Sequence, residues 1–97
     1  MDWGYTDKYL QRNYNMTICD FIEMYERQGG RCAICGCRGF KMKNSSMTSL
    51  VVDHDHETGK VRGLLCHNCN RALGSLHDDI PTLLQAVNYL KGATTIP

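Results

Sequence analysis

Two cysteine pairs constrain the fold of this 97-residue chain more than any other feature. The first pair is Cys32 and Cys35, the second is Cys66 and Cys69, and about 30 residues separate them. Two Cys-x-x-Cys pairs at such a separation are typical of a tetrahedral Cys₄ zinc site, in which the metal joins two distant segments. A chain this short needs a staple, because its hydrophobic core alone leaves little stability. We therefore predict that these four cysteines hold a structural zinc ion.

Two alternatives to zinc are a redox-active cysteine motif and a pair of disulfide bonds. A thioredoxin-type motif is one Cys-x-x-Cys near a βαβ pattern, whereas this chain has two pairs and lacks that pattern. Disulfides are typical of secreted chains, and the N-terminus carries no basic or apolar signal segment. No run approaches the roughly 20 apolar residues of a membrane span. We therefore expect a cytoplasmic protein with reduced thiols.

The chain has two further cysteines outside these pairs. Cys19 falls within a predicted helix, where we expect it to be a small buried apolar residue. Cys37 lies two positions after Cys35 and could compete with it for the metal. The usual spacing of a zinc knuckle favours Cys35.

Apolar spacing and capping residues predict three helices. The first has apolar residues at i, i+3, i+4 and i+7 between residues 18 and 25, with Thr17 as its N-cap and Gly29-Gly30 at its end. The second helix is predicted to begin at about 66–69 and to run through 72, with a bend at Gly74. The third is predicted from Asp79 to about Gly92, with Pro81 in its first turn and an apolar stripe.

The segment between the cysteine pairs predicts a β-hairpin. The β-branched run at 50–52 and the run at 61–65 indicate two strands, and residues 57–60 are typical of a turn. Residues 41–49 are polar and predict a flexible loop. The whole chain, residues 1–97, is thus predicted to form one α+β domain.

Within that domain we distinguish an arm, a core and a tail. The arm, residues 1–16, is expected to be irregular or a short helix, and its Trp3 and tyrosines to pack on the domain rather than stack on bases. The core spans residues 17–91, and residues 92–97 form the tail.

Four acidic and imidazole residues in a row, 53–56, indicate a second site of a different kind. A Cys₄ zinc ion has no free coordination position, so any chemistry needs a separate centre. Asp53 and Asn70 can offer oxygen ligands to a hard cation such as Mg²⁺, and His54 or His56 can take a proton from water near neutral pH. A straight strand would place Asp53 and His54 on opposite faces, so the strand must bend there. The alternative is a solvated, charged hairpin tip.

The net charge of +1 is too small to argue for nucleic-acid binding by itself. The distribution is more informative, since seven of the eleven lysine and arginine residues lie between Arg31 and Arg71, the segment that contains both cysteine pairs. Lys60, Arg62 and Arg71 could contact a DNA backbone, and ordinary surface charge is the alternative for each. His67 could face solvent or a phosphate, and solvent is favoured, whereas His77 is expected to be structural or exposed.

Three stretches of this sequence resemble the phage recombination endonuclease VII family, which belongs to the HNH (His-Me finger, ββα-metal) nucleases. They are QGGRCAICG at 28–36, DHDHE at 53–57, and GKVRGLLC at 59–66 followed by CN at 69–70. The resemblance covers roughly residues 14 to 91. It implies a ββα-metal core, stapled by zinc and flanked by N- and C-terminal helices, and a location in the host cytoplasm if a phage encodes the chain.

The resemblance also implies roles for individual residues. Asp53 and Asn70 would coordinate Mg²⁺ or Mn²⁺, His54 would be the general base, and His56 would assist at the phosphate or the leaving group. The implied activity is metal-dependent hydrolysis of DNA. One departure concerns the junction-resolving member of the family that is best known, which carries an acidic residue three positions after the asparagine, where this chain has Leu73.

Two other functions remain open at this point. One is a resolvase of four-way DNA junctions that acts as a dimer, and the other is a zinc-containing DNA-binding module without catalysis. The small net charge also leaves room for a larger protein partner that supplies specificity.

Overall fold

The computed structural model describes residues 5–39 and 50–92. Within these ranges the chain forms the predicted small α+β domain, with four helices and one antiparallel two-stranded sheet. The predicted loop at 41–49, the side chain of Trp3 and the tail beyond residue 92 lie outside them. The elements are α1 (Asp7–Tyr14), α2 (Ile18–Arg27), β1 (Val51–His54), β2 (Val61–Leu65), α3 (His67–Ser75) and α4 (Ile80–Lys91).

Helix α2 begins and ends as its sequence predicts. The Thr17 hydroxyl accepts a hydrogen bond from the Asp20 backbone N–H, and the Asp20 carboxylate accepts one from the Thr17 N–H, which makes a capping box. Gly29 and Gly30 follow the helix with φ of 66° and 69°, in the left-handed region that glycine adopts without a steric cost. Phe21, on the apolar stripe, is completely buried. Local sequence therefore sets the position of this helix.

The N-terminal arm contains the short helix α1. Its Leu10 is fully buried, and its Asp7 carboxylate accepts a 2.8 Å hydrogen bond from the Ile18 N–H at the start of α2. The Tyr5 ring packs against Phe21, with 5.2 Å between their centroids. The described part of the arm is therefore packed on the domain.

The outer edges of the two-stranded sheet are satisfied by side chains from elsewhere in the fold. On the β1 edge, the Val52 N–H donates to the Tyr5 hydroxyl. On the β2 edge, the Gln28 amide accepts from the Leu64 N–H at 2.9 Å and donates to the Leu64 carbonyl at 3.0 Å. The same carbonyl accepts from the Ala33 N–H. Backbone groups that a third strand would bind are thus paired, as buried backbone requires.

The core is small and lies between the hairpin and the first two helices. Val52 and Leu64 are cross-strand partners and are both buried. Gly39 packs so closely on this core that a Cβ would lie 2.6 Å from Leu50 Cγ. The buried hydrophobic residues are Leu10, Met16, Phe21, Cys32, Leu50, Val52, Leu64 and Leu65.

Two expectations about the fold are wrong. Cys19 is exposed, because it lies on the outer face of α2 rather than on the stripe that contains Phe21. Helix α3 continues through Gly74 to Ser75, since a single glycine costs a helix only about 1 kcal/mol relative to alanine.

Helix α4 has its predicted boundaries but not a buried face. Asp79 caps it by accepting from the Thr82 N–H, and Gly92 ends it with a φ of 78°. None of its residues is buried, and Leu84 and Leu90 are 58% and 83% exposed.

Among the helices described, none has the length and apolar character needed to span a membrane.

We predict that Gln28→Ala destabilises the domain by about 1–3 kcal/mol, because it leaves the Leu64 N–H without its partner beside the core. The free energy of unfolding, from urea titration of the metal-loaded protein, measures the effect. Gln11→Ala is the matched control, since Gln11 donates only one exposed hydrogen bond to Asp7 and its loss should cost less than about 0.5 kcal/mol. Equal losses in the two variants would contradict the edge-pairing role of Gln28.

Candidate active site and thiol cluster

Four cysteine thiols converge where the first knuckle meets the start of α3. The Sγ atoms of Cys32, Cys35, Cys66 and Cys69 all lie within 4.8 Å of one another. Cys35 Sγ and Cys66 Sγ are 3.7 Å apart, close to the roughly 3.8 Å that two thiolates span across a tetrahedral zinc ion with Zn–S bonds of about 2.3 Å. The cluster could therefore hold zinc.

Cys66 is both a member of the thiol cluster and the N-cap of α3. Its Sγ accepts a hydrogen bond from the Cys69 backbone N–H at 3.4 Å. The free N–H groups at a helix N-terminus favour negative charge nearby. Any ion in the cluster is thus linked directly to the first turn of α3.

Backbone N–H groups also stabilise thiolates in the first knuckle. Burial acts to raise the pKa of Cys32, but hydrogen bonds from the backbone of Cys66, Cys35 and Ile34 and from the Cys35 thiol lower it to about 6. Burial and the thiols of Cys66 and Cys32 raise the pKa of Cys69 to about 12. Thiolates this close therefore cannot all form without a cation, and a divalent ion supplies the missing positive charge.

Cys37 lies next to the cluster but is not one of its four converging thiols. Its backbone N–H donates to Cys35 Sγ at 3.5 Å, while its carbonyl accepts from the Cys32 N–H at 2.9 Å. Gly36, with a φ of 76°, makes the turn between Cys35 and Cys37. The backbone of Cys37 thus closes the knuckle, as the Cys-x-x-Cys spacing predicts.

We predict that the folded protein binds one zinc ion through these four thiols. Cys35→Ser should lose the zinc and Cys37→Ser should retain it, as measured by metal content after gel filtration. Chelation should also abolish the cooperative thermal transition, because the ion joins two segments that a small core holds weakly. Loss of zinc from both variants alike, or an unchanged transition after chelation, would refute this assignment.

The carboxylate of Asp53 is almost buried and is bound by an arginine. Arg62 donates to it in a bidentate manner, from Nε to Oδ2 at 2.7 Å and from a terminal nitrogen to Oδ1 at 3.1 Å. The hydrogen bond with Asp53, and then that with Asp78, raise the pKa of Arg62. The guanidinium is therefore a fixed positive charge beside the predicted cation ligand.

The hairpin is irregular beside the second site, but on the strand opposite Asp53 and His54, and the bend expected in β1 itself stays a prediction. Asp53 pairs with Gly63, but His54 pairs with Val61, so Arg62 is an extra residue in β2 without a cross-strand partner. Such an extra residue bends the strand and increases its twist. The ladder of the hairpin is therefore irregular between Asp53 and His54. The two side chains have different immediate neighbours, since Asp53 binds Arg62 whereas His54 contacts the rings of Tyr14 and His56.

The two candidate imidazoles lie side by side. The rings of His54 and His56 meet edge to face, with 4.8 Å between centroids, and the Tyr14 ring lies 5.5 Å from that of His54. Burial, followed by the nearby tyrosines, raises the pKa of Tyr14 to about 12, so its hydroxyl is neutral at physiological pH. His54 is half-buried, whereas His56 is exposed.

Asp55 takes part in the hairpin turn instead. Its carboxylate accepts from the N–H groups of Glu57 and Thr58, and these bonds lower its pKa. Its carbonyl accepts from the N–H of Gly59, whose φ is 78°.

A residue not singled out by the sequence, Asp78, connects the two halves of this site. Its Oδ2 accepts a hydrogen bond from Arg62 at 3.1 Å and lies 3.6 Å from His56 Nε2. Asp78 and His77 have φ values of 53° and 59°, in the left-handed region that costs residues other than glycine about 1–3 kcal/mol. A contact chain therefore runs from Asp53 through Arg62, Asp78 and His56 to His54.

Helix α3 faces this end of the hairpin. Leu73 and Asp53 line the same cavity, of about 240 Å³, together with Arg62. Asn70 precedes Leu73 by three positions and so shares its side of the helix. Its own side chain is exposed. Leu73, which stands where the best-known junction-resolving member of the family has an acidic residue, thus contributes an apolar wall.

The other basic and imidazole candidates lie on the surface. Lys60 in the turn and Arg71 on α3 are exposed, as are His67 and His77. Arg62, by contrast, is committed to two carboxylates. The ion pair between Asp53 and Arg62 could have been predicted from the sequence, because the two residues lie on neighbouring predicted strands. No sequence pattern indicated the contact of Asp78 with Arg62.

Comparison with known proteins places this geometry in a class. The sequence matches the recombination endonuclease VII family over residues 7–92. It is 46% identical over 79 residues to the Gene 59 protein of Mycobacterium phage D29 and 45% identical over 78 residues to that of Mycobacterium phage L5. These alignments cover 80% and 79% of this chain and 45% and 44% of the phage proteins.

The fold is also similar to that of a solved nuclease. The structure of the ββα-Me type II restriction endonuclease Hpy99I superimposes with a TM-score of 0.55 at 31% identity, over 77% of this chain and 41% of that one. The domain is therefore of the ββα-Me class. Within that class, the chain belongs to the recombination endonuclease VII family. It spans less than half the length of each relative named here.

Proposed function

We propose that this chain is an HNH-type endonuclease that hydrolyses DNA phosphodiester bonds with a divalent cation. The observation that carries the proposal is the contact chain from Asp53 to His54 at one end of the hairpin, beside a helix that begins at the thiol cluster. Family membership and the ββα-Me neighbour support a nuclease independently of that geometry.

The residues that would hold Mg²⁺ or Mn²⁺ are Asp53 and Asn70. Carboxylate and amide oxygens are the donors that such hard cations prefer. Arg62 engages both oxygens of Asp53, but each oxygen retains a second lone pair for a metal. A cation bound there would offset the charge that develops on the phosphate and the leaving oxygen.

His54 is the proposed general base. Its half-buried ring lies between those of Tyr14 and His56, which limits its rotation. A ring nitrogen would take a proton from the attacking water. Transfer of a proton from that water to His54 prepares it for in-line attack on phosphorus, which leaves 5′-phosphate and 3′-hydroxyl ends. His56 assists at the phosphate or the leaving group.

The exposed cations would set the position of the DNA. Lys60 and Arg71 are free to approach phosphates, and such contacts fix affinity and register rather than sequence. Arg62 would contact a phosphate while it remains paired with the carboxylates of Asp53 and Asp78. Zinc in the thiol cluster would maintain this arrangement without taking part in the reaction, since four thiolates leave no open coordination position.

A dimeric resolvase of four-way junctions is the second candidate function. The exposed apolar residues of α4 favour it, because a face with Leu84, Val87 and Leu90 is suited to a second copy or to a larger protein partner. Sedimentation velocity would separate this candidate from a monomeric nuclease acting in the host cytoplasm. Binding of DNA without any cleavage in Mg²⁺ or Mn²⁺ would instead support a non-catalytic zinc module.

We predict that the zinc-loaded protein nicks plasmid DNA in Mg²⁺, and that His54→Ala and Asn70→Ala each slow nicking by about 10²-fold or more. The first variant removes the proton acceptor and the second a cation ligand. The measurement is the initial rate of conversion of supercoiled to open-circular plasmid.

Asn68→Ala is the control for Asn70→Ala, because Asn68 is an exposed residue of the same helix. His77→Asn is the control for His54→Ala, because asparagine tolerates the left-handed backbone of residue 77. Both controls should nick at the wild-type rate. Wild-type nicking by either test variant would remove the role assigned to that residue.

A further inference from the structure

A single carboxylate oxygen on the α3–α4 connection contacts both halves of the candidate active site. Asp78 Oδ2 lies 3.1 Å from a terminal nitrogen of Arg62, which also holds Asp53. The same oxygen lies 3.6 Å from Nε2 of His56, whose ring contacts His54. Asp78 is therefore one contact away from the proposed cation ligand and from the proposed general base.

The backbone around Asp78 is arranged to present this carboxylate. His77 and Asp78 are consecutive left-handed residues, and the Asp78 N–H donates to the Leu73 carbonyl at 2.8 Å. Aspartate adopts this conformation more readily than most residues. The carboxylate is only 20% exposed, against 72% for the ring of His56. The Asp78 bond to Leu73 and the His77 N–H bond to the Gly74 carbonyl form the Schellman motif that ends α3, and this motif also brings Asp78 within reach of Arg62.

The charges along the contact chain give Asp78 a specific effect on cation binding. Arg62 alone would cancel the charge of Asp53 and oppose the approach of a cation. With Asp78 included, two carboxylates and one guanidinium carry a net charge of −1. Asp78 also binds the terminal nitrogen of Arg62 that donates to Asp53, so that the bidentate pair keeps one orientation.

We propose that Asp78 is a positioning residue of this site, which holds Arg62 against Asp53 and thereby prepares Asp53 to bind a divalent cation. The inference rests on the proposed function, because it assumes that Asp53 is a cation ligand. Asp78 acts through Arg62 and touches neither the cation nor the DNA. Supporting residues of this kind typically change metal affinity by about 10–100-fold when they are removed.

The test measures the dissociation constant of Mn²⁺ by electron paramagnetic resonance, on zinc-loaded protein without DNA. Asp78→Asn keeps an oxygen acceptor and the left-handed preference but removes the charge. We expect it to raise the dissociation constant by about 10-fold or more. Glu26→Gln, on the distant helix α2, removes the same charge and should leave the constant unchanged.

A double-variant cycle tests whether Asp78 acts through Arg62. In an Arg62→Gln background, Asp78→Asn should have a much smaller effect on the dissociation constant, because only the direct attraction of the Asp78 charge remains to be lost. Zinc content and thermal melting check that each variant is folded. If Asp78→Asn is unfolded, Asp78→Gly removes the carboxylate without backbone strain and must give the same result.

Two results would overturn this inference alone, provided that the wild-type protein binds Mn²⁺. One is an Asp78→Asn constant equal to that of Glu26→Gln, and the other is an undiminished effect in the Arg62→Gln background. Failure of the wild-type protein to bind Mn²⁺ would instead overturn the proposed function and this inference with it.

Discussion

The convergence of four thiols is the interaction on which the rest of this structure depends. In the part of the chain that the structure describes, the buried core consists of eight hydrophobic residues, one of which, Cys32, belongs to the cluster. Such a core fixes α1, α2 and the hairpin, whereas α3 has no fully buried residue and packs on the core through the partly buried Cys69 and Leu73. The start of α3 is set by Cys66, which follows β2, caps the helix and belongs to the thiol cluster. A metal in the cluster would therefore fix how the helix with Asn70 meets the hairpin with Asp53.

The extra residue in β2 converts this frame into a possible active site. Arg62 has no partner across the hairpin, and its guanidinium binds the carboxylates of Asp53 and Asp78. A regular ladder at this position would give Arg62 a cross-strand partner and alternate Asp53 and His54 strictly between faces. The ion pairs, rather than apolar packing, hold this end of the hairpin against the α3–α4 connection.

The features predicted from the sequence are those set by local chemistry. Thr17 with Asp20 marks the start of α2, Asp79 marks the start of α4, and the cysteine spacing identifies the four thiols. The features that were missed depend on contacts between distant segments. Gly74 remains helical because its neighbours outweigh its intrinsic cost, and Asp78 reaches Arg62 across 16 residues of sequence. No local pattern in the sequence reports such a contact.

The central claim is that the thiol cluster organises a site whose chemistry it does not perform. Replacement of the zinc by Co²⁺ tests it directly, because tetrahedral cobalt–thiolate absorption reports occupancy while Mg²⁺-dependent nicking reports the reaction. With free cobalt removed, we expect full cluster occupancy, an unchanged fold and the nicking rate of the zinc-loaded protein. A nicking rate that changes with the metal in the cluster, in protein of unchanged fold, would contradict the claim.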